Sequence, residues 1–166
     1  MSEKNDVIKA DRYIDFDIIN ENWNVYELED KTIIKQKHII SLIFGTGEID
    51  EKGKEKIGFA ANDIIVVFSP KEIRGPPDKN YSIPELEKYI IVPNVKFSLI
   101  KDAEMNQYKT EKMNISVRTV VKRIEKTSKF DPKGMPQFIV RYESMLLIQE
   151  PEEEEEEEEE NSTNKQ

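Results

Sequence analysis

Residues 39–70 and 120–151 align without a gap at an offset of 81 residues. A chain built from two like units must fold so that each unit's apolar surface is covered, and this self-similarity constrains the fold more than any other feature of the sequence. Identities fall at Ile43/Ile124, Thr46/Thr127, Asp50/Asp131, Lys52/Lys133, Gly53/Gly134 and Pro70/Pro151. The apolar pattern matches as well: Ile57, Phe59, Ile64, Ile65, Val66 and Val67 stand opposite Phe138, Val140, Met145, Leu146, Leu147 and Ile148. Upstream the match continues with a one-residue shift, in which Tyr26 corresponds to Tyr108.

The shared Asp-x-Lys-Gly has type I turn chemistry, with Asp at the first position and Gly at the fourth; the second unit adds Pro132 at the second position. Each turn predicts a hairpin. The outgoing strand of the first unit, Thr32 to Phe44, is rich in β-branched residues, and the returning strands are 56–68 and 137–149. Tyr13–Ile19 and Trp23–Leu28 read as earlier strands. Both returning strands change pattern midway, at Asn62-Asp63 and before Met145-Leu146-Leu147-Ile148. A bulge there would carry the strand into a region buried on both faces.

The expected fold class is mainly β. Duplicated hairpin units form a small barrel or two packed barrels, with a single barrel preferred because three or four strands alone leave open edges. The division expected is a flexible N-terminus at 1–12, a first β unit at 13–76, a connector at 77–92, a second β unit at 93–151 and a disordered acidic tail at 152–166. Ser82-Ile-Pro-Glu85 is a capping box and predicts a short helix from about Pro84 to Tyr89.

Charge is unevenly spread. Glu152–Glu160 are nine consecutive glutamates, so the last segment carries nearly all of the net −9 and residues 1–151 carry about −1. Adjacent carboxylates repel one another and bury no apolar area, which keeps such a tail extended. It can attract a basic partner, screen a basic patch on its own body, or confer solubility. The absence of cysteine excludes disulfides and thiolate metal sites and fits a reducing compartment. No apolar run approaches the ~20 residues that span a bilayer, and no signal-peptide core opens the chain, so the expectation is a cytoplasmic protein without a membrane partner.

No Ser-His-Asp order, HExxH, Walker A or dinucleotide glycine motif occurs, and no catalytic, cofactor-binding or metal-ligating set is nominated. His38 is the single histidine and reads as a half-buried strand residue, because a zinc site needs several ligands. Asp50 and Asp131 recur, and turn closure accounts for both. Gly45-Thr46-Gly47 lacks the lysine and helix of a phosphate loop and reads as a strand end. The strongest basic stretch offers a binding face of Arg118, Lys122 and Lys126, with Tyr108 and Phe130 for stacking. The functional expectation is a non-catalytic binding or scaffold protein with a protein partner. The alternatives are a single-stranded nucleic-acid binder regulated by its tail, and an enzyme with a site between the units.

Overall fold

The structure is a computed structural model and describes residues 12–150. The expectations for residues 1–11 and 151–166 lie outside the described residues. The chain runs β1 (Asp17–Asn20), β2 (Asn24–Leu28), β3 (Ile33–Ile49) and β4 (Glu55–Phe68). A short connector helix α1 (Ile83–Leu86) follows, then β5 (Ile90–Val92), β6 (Phe97–Lys101), β7 (Asn106–Lys109), β8 (Asn114–Phe130) and β9 (Pro136–Gln149). Two antiparallel sheets result, one ordered β4-β3-β2-β6 and the other β1-β7-β8-β5, with β9 on the remaining edge of β8. No helix among the described residues is long and apolar enough to cross a membrane.

The two long hairpins coincide at the offset of 81: β3 and β8 both span 17 residues, and β4 and β9 both span 14. Their turns close identically. The Gly53 N–H donates to Asp50 O at 3.0 Å and the Gly134 N–H to Asp131 O at 2.9 Å, while each aspartate Oδ1 accepts the N–H groups two and four residues on. Gly53 and Gly134 have φ of 79° and 81°, a left-handed conformation that disfavours a β-carbon and accounts for the glycine.

Sequence does not announce how the halves are joined. The short strand that opens each half pairs in the other half's sheet: β1 with β7, and β6 with β2. The contacts are reciprocal between segments that match at the offset of about 81. Asn106 Nδ2 donates to His38 O at 3.0 Å and its Oδ1 accepts from the Asn22 N–H at 2.9 Å. Asn24 Nδ2 reaches Thr119 O at 3.4 Å and its Oδ1 accepts from the Ala103 N–H at 2.8 Å. The Tyr108 hydroxyl accepts from Ile40 N–H at 3.2 Å, and the Tyr26 hydroxyl takes the corresponding bond from Val121 N–H. Edge-on ring pairs repeat the pattern, Phe16 on Tyr108 at 5.8 Å and Phe97 on Tyr26 at 5.6 Å.

Two apolar cores follow from this exchange. One gathers Tyr26, Leu28 and Ile34 with Val95, Val121, Ile124 and Val140; the other gathers Ile40 and Ile43 with Tyr108, Ile115 and Val117. Each core therefore takes side chains from both halves, and β3 and β8 each run through both.

Three expectations need correction. The single preferred barrel does not form: the sheets stay open, because the long strands pass from one core to the next instead of curling round one. The bulges lie in the outgoing strands, where the register slips between Ile40 and Leu42 and between Val121 and Arg123. One extra residue switches the inward parity, so Ile40 is followed inward by Ile43, both in the core around Tyr108, and Val121 by Ile124, both in the core around Tyr26. Finally, Met145–Ile148 are exposed, between 43% and 56%, since β9 has no strand on its far side among the described residues. The connector helix forms with its capping box intact, but it ends at Leu86 and continues as a 3-10 turn, Glu87–Tyr89.

Candidate functional site

The basic stretch of β8 does not assemble as one face. Arg118 alternates with the buried Val117 and Thr119, whereas Lys126, beyond the bulge at Lys122, shares the parity of the buried Ile124. Each cation meets a carboxylate: Arg118 with Asp102 at 3.5 Å, Lys122 with Glu143 at 3.7 Å, and Lys126 with Asp30 at 3.3 Å. The Arg118–Asp102 pair corresponds at offset 81 to Lys37–Glu21 at 3.2 Å. Asp30 is partly buried, which pushes its carboxyl up, but hydrogen bonds from Thr32 and Lys126 outweigh this and hold it below the ordinary value. Tyr108 is 1% exposed and donates its hydroxyl proton to Glu21 at 2.7 Å. Burial, then that carboxylate, push its pKa up, and the ring is not available for stacking. Phe130 is half-buried with its ring against Gly75 of the connector.

His38 has a partner that sequence reasoning missed. Its Nδ1 lies 3.0 Å from Asp63 Oδ1, which also accepts from Gln36 Nε2 at 3.0 Å; Gln36 Oε1 in turn accepts from Asn24 Nδ2 at 2.9 Å. Tyr142, from the other sheet, faces the same aspartate, and burial, then that carboxylate, raises its pKa to about 12. The corresponding pair in the second half is Thr119–Ser144, joined through hydroxyls at 2.9 Å. The hairpin register carried the signal: counting back from the turn at Asp50 brings His38 opposite Asp63 once the bulge is allowed for. Among the described residues no group of three or more His, Asp or Glu is placed to hold a metal ion.

The long outer strands present the most distinctive surface. Ile64, Ile65 and Phe68 on β4, and Met145, Leu146, Leu147 and Ile148 on β9, are all more than a third exposed. Both strands lie at sheet edges, with one row of backbone N–H and C=O groups unpaired among the described residues. Neither 64–68 nor 145–148 contains a charge or a proline.

A cleft of about 1230 Å³ opens beside the first turn. Ile14, Phe16, Ile57 and Met113 line it, together with lysines of the turn, of β7 and of the β7–β8 loop, and with Glu150. The fold and these surfaces define a mainly β protein of two antiparallel sheets. Comparison with models of known protein families, with curated proteins and with solved structures finds no match.

Proposed function

We propose that this chain is a duplicated β unit acting as a non-catalytic binding or scaffold protein, and that its outer strands β4 and β9 add to a strand of a protein partner. The carrying observation is the pair of exposed, uncharged apolar runs on those two edges. Natural sheets guard open edges with charges, prolines or covering elements, and an unguarded one is a template for another strand. A second copy of this chain is the partner best matched on chemical grounds, because every molecule carries the same two edges. The glutamates that follow β9 carry like charge next to one edge, which opposes uncontrolled growth of the sheet and leaves an acidic arm for basic surfaces.

The single-stranded nucleic-acid reading has less support, since Arg118, Lys122 and Lys126 are each ion-paired and Tyr108 is buried. Sedimentation of the purified chain at micromolar concentration tests the preferred reading. Ile64→Glu and Met145→Glu place carboxylates across from Lys37 and Arg118, so the hairpins themselves are spared. The expected result is an oligomer that both changes return to monomer. A parent chain that is monomeric throughout, or an oligomer indifferent to the substitutions, overturns the proposal.

A further inference from the structure

The correspondence at offset 81 extends past the ends of β4 and β9. Ser69, the first residue after β4, donates its N–H to Met135 Sδ at 3.5 Å. The corresponding residues at offset 81 are Glu150 and Lys54, and they form an ion pair. The chain thus leaves the two strands against matching positions. After Ser69 the connector continues across the second turn: the Gly75 N–H donates to Gly134 O at 2.9 Å and the Asp78 N–H to Asp131 O at 3.0 Å. Its Lys79 O and Tyr81 N–H also bond Gln137.

The first turn lacks this cover among the described residues. A β-carbon on Gly134 would sit 2.6 Å from Gly75 O, whereas one on Gly53 would meet nothing within 4 Å beyond its chain neighbours. The segment that corresponds to residues 70–79 is 151–160, which begins with the matching proline, Pro151, and continues as nine glutamates. Lysines 52, 54 and 56 line the cleft at this turn, and Lys109 and Lys112 line it as well. Carboxylates are present too. Lys54 is paired with Glu150 and Lys56 with Glu48 at 3.6 Å, Asp50 has its Oδ1 engaged by backbone N–H groups, Glu55 is paired with Arg12, and Asp15, Asp17 and Glu111 also line the cleft.

We infer that residues 151–160 of this chain dock in this cleft, crossing the Asp50–Gly53 turn as the connector crosses its counterpart, with their carboxylates on Lys52, Lys54 and Lys56. The connector's contact is made by backbone groups and survives a change of side chains. The tail's contact adds charge, so salt weakens it. A basic partner reaches the tail by displacing it from these lysines.

Zero-length carbodiimide cross-linking of the full chain, read by peptide mass spectrometry at low and at high salt, tests this. Mixing isotopically light and heavy protein separates cross-links within a chain from those between chains. The expected result is intrachain cross-links from Glu152–Glu160 concentrated on Lys52, Lys54 and Lys56, several-fold weaker at high salt and lost in the Lys52→Gln/Lys54→Gln/Lys56→Gln variant. The same change at Lys122 and Lys126 should leave them intact. Tail cross-links spread over lysines of all faces, found only between chains, or undiminished in the triple variant overturn the inference.

Discussion

Replacing Asn24 by alanine should be among the most damaging polar changes in this molecule, and more damaging than the same change at Asn106. Asn24 is 5% exposed and serves three groups: Ala103 N–H at 2.8 Å, Gln36 Oε1 at 2.9 Å and Thr119 O at 3.4 Å. Its partners are buried, so truncation leaves them without water. A buried group that loses its partner costs about 1–3 kcal/mol. The two short bonds then give a loss of about 2–6 kcal/mol, with the 3.4 Å contact adding little. Asn106 bonds Asn22 N–H and His38 O, and Asn22 is exposed, so water can replace part of what is lost. The expected cost there is about 1–2 kcal/mol. Urea unfolding followed by far-UV circular dichroism measures both. With a slope of about 2 kcal/mol per molar, Asn24→Ala should lower the midpoint by about 1–3 M. A loss under about 0.5 kcal/mol for Asn24→Ala would refute the reasoning, because a bond to such buried groups is worth more than that. An Asn106→Ala variant that is the less stable of the two would refute it as well.

Two further outcomes follow from the geometry. The folded state holds the Tyr142 proton more tightly than the unfolded chain, so its contribution to stability is intact below about pH 10 and lost as pH rises through about 12. Ultraviolet titration at the phenolate band should show Tyr142→Phe removing a late-titrating phenol, and a phenol lost from the ordinary range near pH 10 would contradict its burial beside Asp63. At the turns, Gly53→Ala should cost about 1–2 kcal/mol for its left-handed backbone. Gly134→Ala should cost more, since its β-carbon also meets Gly75 O; equal thermal shifts in the two variants would mean that the connector does not clamp the second turn.

The hairpins were legible in the sequence because their determinants are local. Asp50-x-x-Gly53 and Asp131-x-x-Gly134 write the turns, and β-branched runs write the strands. The capping box at Ser82 was legible for the same reason. The exchange of β1 and β6 was not, because it rests on pairings such as Tyr108 with Ile40, far apart in the chain and chosen by packing. A trace of it existed: Asn24/Asn106 share the one-residue shift of Tyr26/Tyr108, and these are the residues that cross between halves. The apolar run Met145–Ile148 misled because hydrophobicity implies burial only when an element is there to cover it. Arg118 and Lys126 were assigned one face on a regular period of two, which the bulge at Lys122 breaks.

Expression of residues 1–92 alone tests most directly whether the halves are interlocked. Without Val95, Val121, Ile124 and Val140 the core around Tyr26, Leu28 and Ile34 has lost its other side, and β2 has lost β6 from its edge. The expected product is an unfolded chain, or a folded dimer in which a second copy supplies the exchanged strand. A monomer with dispersed amide resonances and a cooperative unfolding transition would contradict the interlocked architecture.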